Sequence, residues 1–547
     1  MKTLNAIILI IFLYPLPQRA SAQERAPENE SIRQQDLRAD LFFLSSDALQ
    51  GRLTATRDNR IAAEFIKSRF ERMGLTPAGP ENSYYQIFNL STATLGSGNS
   101  LVITFPGQNR DIQLKAGQDY YPLNFSASGR SGGTLVYAGF GITSPIRSHD
   151  DYRRGESVAG KVVLVLNHEP GERDPDSPFD GLVTSEASRT LRKALYAQEQ
   201  GAVAILFVSD IHNHPEPVNF EASAKNYWPD ETRRVPRYGL ADWVERVRIP
   251  VAIISPALAR TLISGTNRTL EELFSLAEKT GGIDPISISG VEINLHVSVN
   301  RHIVQERNVV ARMEGVDPAV ADELIILCAH YDHNGGSSAG IYNGADDDGS
   351  GTVALIEIAE AYALAASKGH RPRRSVLFAA WNAEERGLLG AWAYTERPLY
   401  PLEKTVAVIN MDMIGRNEEV QEGGGRRFRG LEIQTAESNS NAVNILGYTY
   451  SPDLRAEIEQ ANVHYGLDLK MRYDNNASNL LRRSDQWPFL QNGVPAVFVH
   501  TGLHPDYHTV YDQPEKINYV KMEKIARLVH QTSWNLAQGK GRPRFAQ

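Results

Sequence analysis

The sequence predicts an α/β protein: a mixed, largely parallel central sheet flanked by helices, interrupted by a smaller β-rich insert. Three observations carry this. Four apolar runs, Leu324-Ile-Ile-Leu-Cys-Ala, Ser375-Val-Leu-Phe-Ala-Ala-Trp, Val406-Ala-Val-Ile-Asn-Met and Val494-Pro-Ala-Val-Phe-Val-His, are continuous rather than alternating, as suits strands covered on both faces. Helical stretches such as 351–368 and 387–395 lie between them, the alternation of crossover units. The chain has 547 residues, more than one ordinary core accommodates.

Taken in order, residues 1–22 carry Lys2, an apolar stretch from Ala6 to Leu16 and the small-residue triplet Ala20-Ser21-Ala22. That is the pattern of a secretory signal cleaved after Ala22, so the mature chain is expected outside the cytoplasm, in periplasm or medium. The apolar run is about half a bilayer span, and no later segment suits one, so no stable membrane insertion is expected after cleavage. Residues 23–115 form the amino-terminal part of the main domain. Two helices are predicted between Arg33 and Gly74, with Ile61, Ala62, Phe65, Ile66, Phe70 and Met73 at helical spacing and Gly74 closing the second. Residues 116–290 have the texture of the insert: short strands such as Val162-Val-Leu-Val-Leu and Ala204-Ile-Leu-Phe-Val between glycine-rich turns. Residues 291–547 hold the four apolar strands and the main part of the domain.

Composition excludes several classes. With 41% hydrophobic and 22% charged residues the chain is neither disordered nor fibrous. A net charge of −8 with no long basic cluster argues against nucleic acid as a partner. Cys328 is the one cysteine, so no intrachain disulfide forms, and its apolar neighbours make it a small buried side chain rather than a reactive thiol.

Each of the four strands runs into acidic or histidine residues at, or shortly after, its carboxyl end. The first reaches His330 and Asp332 in AHYDHNG (329–335); the second, Glu384 and Glu385; the third, Asp412; the fourth, after a loop, His508. Between the first two, the loop GADDDGSG (344–351) opens a helix. Open α/β sheets bind ligands in the crevice beyond their carboxyl edge. Imidazole and carboxylate groups delivered there from five segments fit a pair of divalent zinc ions, with one carboxylate shared between them and one left over as proton acceptor.

The segments AHYDH, GADDDGSG, WNAEERGLLG, INMDMIGR and DYHTVYD resemble, in order, those of the secreted di-zinc aminopeptidases. That exopeptidase family also contains glutamate carboxypeptidase II and, as a divergent branch, glutaminyl cyclase. The likeness covers roughly 28–115 and 290–540, while Val158-Ala-Gly-Lys-Val-Val-Leu-Val and Gly201-Ala-Val-Ala-Ile-Leu-Phe-Val resemble a protease-associated domain. The resemblance implies a zinc exopeptidase-like fold and a di-zinc metallo-exopeptidase acting on peptide substrates. Two Zn2+ per chain would be held by His330 and Asp412 on one side and by Glu385 and His508 on the other. The family's bridging carboxylate stands three positions before the Ser-Gly of its loop, which selects Asp347 over Asp346 and Asp348. Glu384 would be the general base toward the water between the ions, Asp332 would hydrogen-bond the His330 imidazole, and Tyr507 would stabilise the oxyanion.

Other histidines read more plainly. His333 is expected as a loop side chain and His504 as a rim residue. His212-Asn-His214, in polar Pro-rich surroundings, is expected as an exposed loop, because two histidines alone rarely close a coordination sphere. Gln486 stands where the family often has a histidine, in Arg483-Ser-Asp-Gln-Trp-Pro-Phe, which bears on the pocket. Three competing functions follow the same scaffold: a carboxypeptidase, for which Arg416, Arg482 and Arg483 are available to pair a substrate carboxylate; a one-zinc acyl transferase of the glutaminyl-cyclase kind; and a non-catalytic binding protein. The filled ligand set argues against the last two, the carboxylates of the zinc shell suit the free α-amine of an aminopeptidase substrate, and the carboxypeptidase stays open.

Overall fold

The computed structural model describes residues 24–546 apart from 153–155, 212, 217–218 and 232. The expected signal segment and His212 therefore lie outside the described residues. Among the described residues no helix is long and apolar enough to cross a membrane.

The four predicted strands are present as Leu324–His330, Ser375–Trp381, Thr405–Met411 and Ala496–His500, and every residue in them is buried. They lie side by side in the order 375–381, 324–330, 405–411, 496–500, each parallel to the next. Antiparallel strands extend the block, Val299–Met313 and Tyr85–Leu95 on one side and Ala442–Leu446 on the other, and three short strands, Thr76–Pro77, Gly239–Leu240 and Asp468–Lys470, bring the mixed sheet to ten. The continuity of the apolar runs has a simple cause, because alternate residues serve two cores. Ile325, Leu327 and Ala329 pack with helices Gln34–Leu44, Arg57–Arg72, Gly351–Ser367 and Tyr519–Gln538. Leu324, Ile326 and Cys328 pack on the opposite face with Leu389–Glu396 and Gln486–Gln491. Cys328 is fully buried, its thiol meeting the Asn410 side-chain oxygen at 3.3 Å, and burial pushes its pKa well up.

The two amino-terminal helices form as their spacing predicts. Ala62, Ala63, Ile66 and Phe70 are buried, and Thr56 caps the second helix by accepting from the Asn59 N–H.

A second, eight-stranded sheet is built from Ser100–Phe105, Arg110–Gln113, Tyr120–Pro122, Gly129–Tyr137, Val162–Leu166, Ala204–Val208, Val251–Ile254 and Ile286–Val297. It takes in strands on both sides of the 116–290 segment, because Ser100–Phe105 and Arg110–Gln113 are tied to it by pairing with Ile286–Val297. Its middle strands, from Gly129–Tyr137 to Val251–Ile254, are parallel. Parallel neighbours need crossover connections, so this unit also carries helices, among them Thr190–Glu199 and Pro256–Ile263, and is α/β rather than simply β-rich. The antiparallel ribbon of Tyr85–Leu95 and Val299–Met313, in register from Tyr85↔Val309 to Leu95↔Val299, leads from one sheet to the other.

Candidate metal centre

The strand Leu324–His330 ends by placing His330, fully buried, at the carboxyl edge of the parallel block. Its Nδ1 faces the backbone carbonyl of Asp332 at 3.1 Å, which turns Nε2 toward the acids from the neighbouring strands. Nε2 lies 3.2 Å from Asp347 Oδ1, 3.6 Å from Asp412 Oδ1 and 3.7 Å from Glu384 Oε2. The Asp332 carboxylate, the expected partner of this imidazole, is 3.7 Å from Nδ1. It accepts instead from the Glu384 N–H at 3.0 Å and the Thr54 hydroxyl at 2.9 Å. Asp332 therefore orients His330 through its carbonyl and holds the glutamate turn through its carboxylate.

The loop 344–351 sorts its three acids by what their oxygens meet. Asp348 accepts from the N–H groups of His330, Gly351 and Met413, tying three segments together. Asp346 accepts from Gly415 N at 2.7 Å and pairs with His504 Nε2 at 3.2 Å. Asp347 alone turns toward the cleft, with Oδ1 3.2 Å from His330 Nε2 and Oδ2 2.9 Å from His508 Nε2. Gly344 permits the close packing: its φ is +55°, and a Cβ there would lie 2.5 Å from Cγ of His333.

The second group gathers around Glu385. Its Oε1 is 3.2 Å from His508 Nε2 and 2.7 Å from His333 Nδ1. His333 is thus no loop side chain but a fully buried member of the site. The segment around Arg52 encloses it, with the Arg52 carbonyl accepting its N–H at 3.2 Å. His504 likewise is buried behind Asp346 rather than on a rim. Asp412 accepts from the Ser484 hydroxyl at 2.5 Å through Oδ2, leaving Oδ1 for the cleft. Gln486 sits in the core behind it, bonded to Asn410 at 3.2 Å and to the Leu481 carbonyl, and does not face the pocket. Tyr507 stacks on His508 with ring centroids 3.9 Å apart, and burial pushes its hydroxyl pKa well up, which keeps it a donor. Non-glycine residues in the left-handed region stand at or beside three candidate site residues, Glu384, Asp412 and His508: Ala383, Met413 and His508 itself, with φ of 59°, 55° and 55°.

The two adjacent glutamates have opposed electrostatics. Burial pushes the Glu384 carboxyl well above the ordinary range, against the pull of His330. Glu385 is also penalised by burial, yet His508 and His333 hold it well below that range. Environments that split two like groups in this way mark separate roles in acid–base chemistry.

Do these residues fit metal ions? His330 Nε2, His333 Nδ1, Asp347 Oδ2 and Asp412 Oδ1 are all enclosed and make no aligned hydrogen bond, although oppositely charged partners lie within 4 Å. Donor atoms that crowd together without bonding one another are aimed at shared points between them. Two such groups form, His330–Glu384–Asp412 and His333–Asp347–Glu385, and Asp347 lies between them. The residue types are those of zinc.

One brace was missed from sequence. Arg52, fully buried in the polar connection after the first helix, donates to the carbonyls of Leu44, Tyr331, Asn343 and Gly344 at 2.6–2.9 Å. It clamps the AHYDHNG turn to the aspartate loop. Only the abundance of turn residues around it marked the spot.

The cleft, about 300 Å³, has Asp347, Glu384, Glu385, Asp412 and His508 on its floor and an apolar wall of Leu480, Trp487, Phe498 and Leu503. The insert reaches it through Glu186 and Arg189. Glu186 bonds Arg482 at 3.0 Å and the Trp487 indole N–H at 2.9 Å.

Residues 308–533 match the family model described as Peptidase family M28. The chain is 26% identical over 477 residues to "Probable glutamate carboxypeptidase AMP1" of Arabidopsis thaliana, an alignment covering 84% of this chain and 61% of that one. It is 38% identical over 128 residues to "Aminopeptidase NAALADL1" of Mus musculus, covering 23% of this chain and 16% of that one. The chain thus spans about three fifths of the first relative's length and far less of the second's. Among solved structures, "Aminopeptidase from Aneurinibacillus sp. strain AM-1" aligns with a TM-score of 0.48 at 16% identity, over 95% of this chain and 97% of that one.

Proposed function

We propose that the protein is an exported zinc-dependent exopeptidase, most simply an aminopeptidase, with two zinc ions held by His330, Asp347, Glu385, Asp412 and His508. The observation that carries this is Asp347, whose two oxygens face histidines from two different segments, at 3.2 and 2.9 Å. A carboxylate so placed would suit a pair of metal ions. The M28 match over 308–533 supports peptidase chemistry.

When bound, the ions supply Lewis acidity and bring the pKa of water toward neutrality. The remaining work falls to side chains. Glu384, which lines the cleft beside Asp347 and Asp412, takes the proton of the attacking water and returns it to the leaving amine. Asp332 holds the Glu384 backbone in place. Tyr507, kept protonated, donates to the oxygen that gains charge at the scissile carbonyl. The acidic floor grips a free α-amine, and the apolar wall suits an apolar first side chain. The insert acts as a protease-associated lid, with Glu186 and Arg189 at the cleft mouth.

The carboxypeptidase reading has one observation in its favour: Arg482 and Arg483 line the same cleft. Arg482 is already paired with Glu186, however, and Arg416 with Asp506 at 2.9 Å. A panel of free and amine-blocked peptides, with and without chelator, decides between them. Hydrolysis of leucyl-anilide and free peptides, lost with chelator and restored by zinc, is the expected result. Release of carboxy-terminal residues from blocked peptides would establish the carboxypeptidase. A single zinc at the Asp347 edge of an active chain would favour the acyl transferase, and no hydrolysis of any of these peptides by the zinc-loaded protein would leave the binding protein.

A further inference from the structure

We propose that His168, Glu172 and His214 form a separate metal site in the insert, a structural clip for a zinc-class divalent ion. His168 and Glu172 follow the strand Val162–Leu166, and His214 follows its parallel neighbour Ala204–Val208, paired Leu166↔Val208. The cluster therefore lies beyond the carboxyl edge of the insert's parallel strands, the position a ligand takes in such sheets.

The geometry is convergent. The two oxygens of Glu172 face one histidine each: Oε1 is 2.5 Å from His214 Nε2 and Oε2 is 3.2 Å from His168 Nδ1. The imidazoles lie 4.0 Å apart, centroid to centroid, at 31°. His214 Nε2 is shielded from solvent and, despite its closeness to Oε1, makes no aligned hydrogen bond. The same signature marks His330 and His333 at the catalytic edge. Two imidazole nitrogens and one carboxylate within reach of a common point are the protein ligands of an open zinc site, with water completing the sphere on the exposed side.

The surroundings hold the ligands in place beforehand. Glu278 accepts from Gly171 N at 2.8 Å and from the Asn213 amide at 2.6 Å, so one carboxylate fixes both ligand loops. Lys193, fully buried, donates to the carbonyls of Leu166 and His168. What the clip holds is the root of the strap 167–189. That strap crosses to the peptidase wall, where Leu182 and Thr184 N–H groups bond Asn475 and Asn479 at 2.7 and 2.8 Å and Glu186 meets Arg482. With one cysteine in the chain, no disulfide can do this work.

The test uses full-length protein loaded with zinc and freed of excess. Metal content by mass spectrometry should fall by about one ion per chain in Glu172→Gln and His214→Ala relative to wild type. Circular dichroism checks that the variants are folded. In wild type but in neither variant, zinc should slow tryptic cleavage at Arg173 at least tenfold, which magnesium does not. Equal zinc counts in wild type and both variants, or equal cleavage with and without zinc, would overturn the clip and reduce the cluster to a hydrogen-bonded pair of histidines on a glutamate. Neither readout depends on peptide hydrolysis, so the clip and the exopeptidase reading fail separately.

Discussion

Arg52→Met is the sharpest test of how the centre is built. The guanidinium makes four hydrogen bonds to carbonyls from three segments, and all of it is buried. Methionine fills a similar volume, so the cavity contribution is small and the change isolates lost donors and lost charge. At about 1 kcal/mol net for each hydrogen bond, the four together are worth about 4 kcal/mol. Arg52→Lys should recover about half, because a point-like ammonium cannot span carbonyls that a planar fork reaches. The assay is denaturant unfolding of zinc-loaded protein followed by tryptophan fluorescence, since Trp381 and Trp487 are buried beside the parallel block. Zinc retention on dialysis gives a second readout, because the clamp joins the His330 turn to the Asp347 loop. If Arg52→Met unfolds within about 1 kcal/mol of wild type and keeps its zinc equally well, Arg52 is a bystander and the reasoning fails.

Other expectations follow from the same geometry. Glu384→Gln should lower kcat by roughly 10²–10⁴-fold while zinc content and melting temperature hold, and a kcat within tenfold of wild type would remove Glu384 as the base. His333→Asn should weaken zinc retention by roughly 10–100-fold in a chelator competition, since His333 lies against Glu385 and Asp347. Stripping zinc should lower the melting temperature as well as activity, because the carboxylates around His330 lose their counter-charge; an unchanged melting curve would contradict that. Glu357 gives a pH test away from the centre: burial, helped by Asp36, Glu360 and Asp40, pushes its carboxyl up to about 8. The folded state then holds a proton that the unfolded chain releases above about 4.5, so unfolding free energy should fall as pH rises from there through about 8. Glu357→Gln should flatten that slope in denaturant unfolding across the same window.

The sequence made the parallel block legible because burial on two faces leaves a continuous apolar run, and it marked the candidate ligands because they sit where those runs end. Asp347 could be separated from Asp346 and Asp348 only by family likeness; in the structure their hydrogen-bond partners separate them. What stayed hidden was contact between distant loops. His333, two positions before Gly335, reads as a turn residue, and its burial depends on a segment around Arg52 that lies 279 positions before Tyr331, the residue whose carbonyl Arg52 binds. His168, Glu172 and His214 were invisible as a group because strand pairing, not spacing, brings their loops together.

The distribution of braces also bears on what constitutes the catalytic unit. Residues 308–533, the part matching the peptidase model, contain every candidate ligand and the base. Yet the AHYDHNG turn is clamped by Arg52, the Asp332 carboxylate by Thr54, and the turn before Glu384 by reciprocal amide bonds between Asn59 and Asn382 at 3.1 and 3.0 Å. Asn382 is held further by Glu306 at 2.8 Å. All four partners lie outside the matched segment, three of them in the amino-terminal helices and the loop between them. Removing that region would strip donors from buried carbonyls and carboxylates around the ligands while leaving the ligands themselves in the chain. The helices at 34–72 are therefore part of the centre's supporting shell, and 308–533 alone should not hold zinc.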